Sequence, residues 1–350
     1  MNTFDSVAIE KLEEYDSHRK IIFFNNRKTE LRGFIAIHRK NINNPSFGAT
    51  RFWRYENSLD GLRDALRLSR LMSYKAVLAG LPCGGAKGVI LMPERLKDRK
   101  ELLLSYAEEV NALHGDFVTG MDAGLYEDDL RLMKQASKFI VGLNNDATQA
   151  TAMGIYHSME ASLELLTGQG DLTGKTFAIQ GLGKVGHALL FLLYPKAERI
   201  YVADTDAAAS EIIKKEFPSV SVVKPFEIHK QHVDIFSPCA LNYALNEKTI
   251  AELNCRMIVG GANNQLQSET TGDMLFELGI LYAPDYVVNA GGLIAVFDEY
   301  ENRERDDKRV KTKVLDIKKR LSGIFKISQE ENRPPNRVAN EMAEERFNGY

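Results

Sequence analysis

The sequence predicts an α/β protein of two domains, and three observations carry that prediction. The chain has 350 residues, which at roughly 150 residues per domain gives two. Its first part mixes β-type runs with amphipathic helices. From about Thr151 onward, short apolar runs alternate with helical or loop stretches, the pattern of a parallel, doubly wound sheet.

In the first part, RGFIAIH from Arg32 is β-branched and apolar enough for a strand. Residues 58–72 bring Leu62, Leu66, Ser69 and Met72 to one side at helical spacing. KGVILM, opening at Lys87, returns to strand character. Residues 101–113 read as a helix with Leu103, Tyr106, Ala107 and Val110 on one face. DFVTG and EDDLRLMKQAS add a strand and a helix, so this domain is of mixed order. In the second part, 155–166 is a connecting helix and GQGDLTGK a turn cluster. KTFAIQ, RIYVAD, VSVV, VDIFSP, RMIVGGA and LYAPDYVVN follow as strand-like runs. The tail from Val310 carries Val314, Ile317, Leu321 and Ile324 at steps of three and four. A coiled coil is one reading, and the shortness of the pattern favours a helix that covers a domain face. RPPN breaks it before a last helix.

Composition removes several classes of function. Hydrophobic residues at 44% and charged residues at 27% suit a globular core. A formal net charge of -3 argues against a nucleic-acid partner, although net charge alone leaves room for a local basic patch. No run approaches the roughly 20 apolar residues of a membrane span, and the N-terminus has no apolar signal region. Cys83, Cys239 and Cys255 form no CxxC pair. A cytoplasmic location follows as the expectation. The histidines show no metal-ligand spacing, so no metal is expected.

GLGKVG supplies Gly181, Gly183 and Gly186, with Lys184 and Val185 between the last two. The motif alone is weak evidence. Here a strand-like run precedes it and VGHALLFLL continues as an apolar helix. The first glycine makes the tight turn, the second lets a pyrophosphate approach the backbone, and the third packs helix on strand. The phosphates would then lie on the helix N-terminus. RIYVAD ends at Asp204, about 20 residues beyond the glycines, where a carboxylate would hold the adenosine ribose. A tight turn with an incidental aspartate is the competing reading. Asp204, Asp206 close behind and no arginine directly after them point to NAD over NADP, since a carboxylate repels a 2′-phosphate.

Two lysines stand out. GLPCGGAKGVI sets Lys87 between glycines at the start of a strand, and SYKA sets Lys75 near the end of the preceding helix. A surface lysine is normally a solvated charge. Gly84, Gly85 and Gly88 around Lys87 suggest instead a close backbone approach.

The motifs MSYKAVLAGLPCGGAKGVI, TGMDAG, GLGKVG, SPCALN, GGANNQL and APDYVVNAGG, in this order, resemble those of the glutamate/leucine/phenylalanine/valine dehydrogenases, most closely the leucine and phenylalanine branch. The resemblance runs from about RGFIAIH to FDEY. It implies an N-terminal substrate domain over 1–145, a Rossmann-type NAD domain over 146–324, an active-site cleft between them, and a C-terminal helix at about 325–350 packing back on the first domain. It implies Lys87 as the catalytic lysine and Asp122 as its acid–base partner. Lys75 would bind the substrate carboxylate, and Asn263 would orient substrate or the nicotinamide ribose. Thr151 would hold the nicotinamide carboxamide, with Cys239, Ala240 and Asn289 also in the cofactor site. The side-chain pocket would draw on Phe47, Gly48, Gly120, Leu293, Val296 and Phe297. Ala86 and Gln149 depart from the family pattern, which commonly has glycine and proline there.

The implied reaction is NAD-dependent, reversible conversion of an L-amino acid into its 2-oxo acid and ammonium by a homo-oligomer. The pocket candidates are apolar, so glutamate's γ-carboxylate would be buried without a partner. Phe47 points to leucine, valine or isoleucine, and Gly120 to an aromatic substrate such as phenylalanine or tryptophan. Phe47 carries more weight, because a bulky aromatic wall displaces volume directly. The branched aliphatic substrate is therefore the expectation and the aromatic one the alternative. A hydroxy-acid dehydrogenase would need no pair of lysines with an aspartate, and a catalytically silent NAD-binding regulator would not need to retain them.

Overall fold

The computed structural model describes residues 8–39, 44–240 and 244–348, and the chain forms two compact units. The first comprises 1–145, 296–305 and 346–350; the second comprises 146–295 and 306–345.

The first unit runs β1 (Lys20–Asn26), β2 (Leu31–Ile37), β3 (Ser46–Trp53), α1 (Ser58–Leu78), β4 (Gly84–Leu91), α2 (Arg99–Ala112), β5 (Phe117–Met121) and α3 (Glu127–Met133). The sheet order is β1-β2-β4-β3-β5. β1 and β4 pair antiparallel with β2, whereas β3 pairs parallel with β4 and β5. Helix α1 begins where the Asn57 side chain accepts from the Asp60 N–H, a standard N-cap. It runs past the periodic segment read from sequence and so carries Lys75 on its last turns. β4 opens at Gly84 rather than at Lys87, because the small residues Gly84, Gly85 and Ala86 also pair. Lys87 is therefore held mid-strand.

The second unit opens with α4 (Ala147–Thr167), followed by β6 (Thr176–Gln180), α5 (Lys184–Leu193), β7 (Arg199–Ala203), α6 (Ala207–Glu216), β8 (Ser221–Val222), β9 (Val233–Pro238), α7 (Glu247–Ile250), β10 (Cys255–Ile258), α8 (Glu269–Glu277), β11 (Leu281–Tyr282) and α9 (Asp285–Val288). Its sheet is parallel, in the order β11-β10-β9-β6-β7-β8. Phe177, Ile179, Ile235, Phe236 and Ile258 are buried in it, as continuous apolar runs covered on both faces require. LYAPDYVVN is strand-like only at its first two residues. Pro284 stops the strand, and Asp285–Val288 turns into helix. Gln149 explains its own departure from proline: its N–H donates to Asp146 Oδ1 at the α4 N-cap, which proline could not do.

Helix α10 (Gly291–Asn302) is followed by α11 (Asp307–Glu331) and α12 (Pro335–Asn348). Val314, Ile317, Leu321 and Ile324 of α11 are buried, and α11 packs against α4, where Gly154 would place a Cβ 3.0 Å from Ile317. The tail thus divides: residues 306–345 belong to the second unit, while 346–350 belong to the first, where Arg346 Nη1 donates to the Val77 carbonyl at 3.0 Å. No helix among the described residues is long and apolar enough to cross a membrane.

Candidate active site

Register places the first unit's chemistry. Ala49 of β3 pairs with Lys87 of β4 and with Gly120 of β5. Residues paired across strands share a face, and side chains alternate along each strand. Phe47, Ala49 and Arg51 therefore share one face with Gly85, Lys87 and Val89, and with Val118 and Gly120. Asp122 follows two residues after Gly120. Helix α1 covers this face closely: a Cβ on Gly85 would lie 2.0 Å from Ser73 N. The other face is a separate polar seam, in which Thr50 Oγ1 lies 2.6 Å from the Tyr106 hydroxyl and 2.8 Å from Thr119 Oγ1.

On the α1 face, Lys87 Nζ donates to Asp122 Oδ2 at 2.6 Å. Arg51 Nε donates to the same oxygen at 3.0 Å. Arg51 Nη1 also reaches Asp64 Oδ2 of α1 at 2.7 Å, and that oxygen accepts from the Tyr55 hydroxyl at 2.7 Å. Asp64 Oδ1 accepts from Arg67 at 2.7 Å. Lys87 is only 5% exposed. Burial disfavours its ammonium and pulls its pKa below the usual lysine value; Asp122 opposes that pull and Arg51 adds to it. Burial alone would raise the Asp122 carboxyl, but Lys87 and then Arg51 outweigh it and hold Asp122 well below the ordinary carboxylate range. Lys75 is half-buried on α1, eleven positions after Asp64. At 3.6 residues per turn that spacing returns to the same helix face, roughly 16 Å along the axis.

Arg51, Asp64 and Tyr55 are the residues that sequence reasoning missed. The signal was present: Phe47, a pocket candidate, lies four residues before Arg51, and the alternation of a strand carries both to the same face. Asp64 has no such local signal, because only the packing of α1 brings it there.

The candidates for the side-chain pocket differ in environment. Phe47 is fully buried, its ring 5.2 Å from those of Phe297 and Tyr300. Gly48 is held tightly, since a Cβ there would lie 1.8 Å from the Ala86 carbonyl oxygen. Gly120 is open: its Cβ would meet only the Val141 carbonyl, at 3.4 Å. On α10, Leu293 is buried and Val296, one turn on, is half-buried.

In the second unit the glycine loop has the geometry of a dinucleotide turn. Gly181 sits at φ +95°, open to glycine, and its Cβ would strike Ala240 N at 2.6 Å. A Cβ on Gly186 would lie 2.0 Å from the Gly181 carbonyl oxygen, so helix and loop touch. Gly183, the N-cap of α5, has no side-chain cap and nothing within 4 Å of its Cβ position. Lys184 is exposed beside it, and Val185 packs toward Gly261. At the end of β7, Asp204 accepts from Leu182 N at 2.6 Å and Asp206 N at 2.9 Å, which fixes its carboxylate beside the loop. Asn289 Nδ2 donates to Asn263 Oδ1 at 2.9 Å and to the Gly261 carbonyl at 3.2 Å. Thr151 Oγ1 donates to the Ala147 carbonyl at 2.7 Å, and Gly292 packs against that hydroxyl.

Two buried acceptors here, Gln180 Oε1 and Asn289 Oδ1, have no hydrogen-bond partner among the described residues. Buried acceptors without donors are costly unless a ligand supplies them. With the uncapped α5 N-terminus and the fixed Asp204, they fit a dinucleotide. Cys239 lies in the same region, but burial raises its thiol, as it raises that of Cys83 to about 12, so neither is a ready nucleophile. Leu241 and Asn242 of SPCALN lie outside the described residues.

Residues 18–139 match the Glu/Leu/Phe/Val dehydrogenase dimerisation domain, and residues 205–347 match the glutamate/leucine/phenylalanine/valine dehydrogenase domain. The chain is 39% identical to an L-tryptophan dehydrogenase of Nostoc punctiforme, over 95% of this chain and 94% of that one. It is 36% identical to a leucine dehydrogenase of Bacillus cereus, over 97% and 93%. A crystal structure of the Nostoc punctiforme L-tryptophan dehydrogenase superposes with a TM-score of 0.82, covering 95% of this chain and 96% of that one at 38% identity. A hetero-hexameric glutamate dehydrogenase of Thermus thermophilus superposes with a TM-score of 0.77 over 94% and 88%; at 19% identity it shows the shared fold.

Proposed function

Because the chain belongs to the glutamate/leucine/phenylalanine/valine dehydrogenases, and is an amino-acid dehydrogenase, we propose that it catalyses the NAD-dependent, reversible oxidative deamination of an apolar L-amino acid to its 2-oxo acid and ammonium. The observation that carries this reading is the buried Lys87–Asp122 pair, with Nζ and Oδ2 2.6 Å apart.

When a nicotinamide cofactor is bound, the chemistry supplied is acceptance of a hydride from the substrate Cα. The protein's own groups do the rest. Lys75 anchors the substrate carboxylate as a point charge, so that Cα–H has one orientation. Asp122 takes a proton from the substrate ammonium and returns it to the departing ammonia. Lys87, whose ammonium form burial disfavours, removes in its neutral form a proton from the water that adds to the iminium carbon. A lysine with an unperturbed pKa near 10.4 would serve poorly; burial moves this one toward its neutral, basic form. Asn263, held by Asn289, orients substrate or the nicotinamide ribose.

For the cofactor, Gly181, Gly183 and Gly186 would receive the pyrophosphate on the N–H groups of Lys184 and Val185, beside Cys239 and Ala240. Thr151 would hold the carboxamide. Asp204 would accept from the ribose 2′-OH and repel a 2′-phosphate, which supports NAD over NADP. A homo-oligomer belongs to the same reading, supported by the dimerisation description of the matched N-terminal family.

Two substrate readings rest on different residues. Phe47 fills space near Gly120 and supports leucine, valine or isoleucine. The open Cβ position of Gly120 and the tryptophan-dehydrogenase relative support an aromatic side chain. Initial rates of NADH formation with a panel of L-amino acids decide between them. Activity with any apolar L-amino acid supports the function. None with any would overturn it and leave the silent NAD-binding reading.

A further inference from the structure

We propose that Arg51 is a positioning residue for this reaction: anchored on Asp64 of α1, it holds the carboxylate of Asp122 and makes neutral Lys87 the charge-balanced state of the site. The inference rests on the functional reading above.

The geometry is specific. Arg51 spans two carboxylates, Asp122 through Nε at 3.0 Å and Asp64 through Nη1 at 2.7 Å. Lys87 and Arg51 converge on one oxygen of Asp122, Oδ2. Two cations on one oxygen restrict the rotation of the carboxylate. Asp64 is itself immobilised by Tyr55 and Arg67, so Arg51 is clamped from a rigid helix rather than from a loop.

The charge count gives the consequence. Lys87, Arg51 and Arg67 would carry three positive charges against two on Asp122 and Asp64. The cluster balances when Lys87 is neutral. Without Arg51 it would balance when Lys87 is protonated. Like charges in a dry site disfavour one another, so Arg51 favours the form of Lys87 that can act as a base. Arginine suits this task because it stays protonated throughout the working range. Lys75, half-buried on the same face of α1, is a further cationic residue of that helix face. Tyr55 lies between β3 and α1, and Tyr106 belongs to the opposite face of the sheet.

The test is the pH dependence of kcat/KM for oxidative deamination in Arg51→Met, Arg51→Lys and Asp64→Asn. The acid limb reports deprotonation of Lys87 in the free enzyme. Arg51→Met should move that limb to higher pH by about one unit, as loss of a close like charge does. At low pH this reads as a roughly tenfold loss, recovered as pH rises. Arg51→Lys keeps the charge and should hold the limb near its original position. Asp64→Asn removes a negative charge and should move the limb the opposite way. A structural role alone would lower kcat/KM by one factor at every pH. That outcome, or a shift of the same sign in Arg51→Met and Asp64→Asn, overturns the proposal. If Arg51→Met does not fold, the sign of the Asp64→Asn shift against Arg51→Lys decides. Failure of the functional reading is separable, because it would appear as absence of amino-acid-dependent NADH formation in the unaltered protein.

Discussion

Gly120→Ala is the most informative change at the substrate side chain. The added Cβ would lie 3.4 Å from the Val141 carbonyl and meet nothing else within 4 Å, an ordinary van der Waals contact. The fold should therefore tolerate it, and exchanging a strand glycine for alanine should add about 0.5–1 kcal/mol of stability. The same methyl removes room on the Lys87 face of the sheet. One methylene of a hydrophobic pocket is worth about 1–3 kcal/mol in discrimination, roughly a 5- to 150-fold change in relative kcat/KM. The largest accepted side chain should lose by that factor relative to valine. Gly48→Ala is the control on the adjacent strand. Its Cβ would lie 1.8 Å from the Ala86 carbonyl, so β4 must move beside Lys87. Overpacking of that kind costs about 1–3 kcal/mol and should lower kcat/KM for every substrate together. The assay is NADH absorbance with valine, leucine, phenylalanine and tryptophan, alongside denaturant unfolding. Equal losses across substrates in Gly120→Ala would refute the placement of the pocket.

Other changes separate the remaining roles. Lys87→Met should lower kcat by about 10²–10⁴, the range of general acid–base catalysis, with NAD binding by titration unchanged; retention of normal turnover would sink its assignment as the base. Lys75→Met should act mainly on KM for the amino acid, because it removes a binding charge, and a pure kcat effect would argue against it. Asp204→Ala should lower kcat/KM with NAD and narrow the preference over NADP; an unchanged cofactor ratio would count against the ribose contact. Phe47→Leu keeps the core filled while opening space toward aromatic substrates. Its stability cost should stay below the roughly 3–5 kcal/mol of a full Phe→Ala truncation, and an unchanged substrate ranking would remove Phe47 from the specificity argument.

Much of the fold was legible because local rules and tertiary context agree. TFAIQ–GLGKVG–VGHALLFLL reads as strand, turn and helix, and Gly181 at φ +95° and the contact of Gly186 with the loop show why those glycines are required. The parallel order of the second sheet follows from strands alternating with helices. Boundaries were less legible. Gly84 and Gly85 have low strand propensity, yet pairing with β3 draws them into β4. YVV is β-branched and aromatic, but Pro284 and the hydrogen bonds of Asp285 favour helix. The site divides in the same way. Lys75, Lys87 and Asp122 were visible as motif residues. Arg51 lies four residues after Phe47 and joins it only through strand alternation, and Asp64 on α1 is an ordinary helix-surface carboxylate until the helix packs on the sheet. Contacts made across elements carry no periodic signal in the chain.

The central claim is that nitrogen is exchanged at Cα, and the reverse reaction tests it most directly. The protein, NADH and a 2-oxo acid such as 4-methyl-2-oxopentanoate or phenylpyruvate are incubated with and without isotopically labelled ammonium. The account predicts that NADH is consumed only when ammonium is present, and that the label appears as the α-nitrogen of the L-amino acid. Consumption of NADH without ammonium, yielding a 2-hydroxy acid, would contradict it.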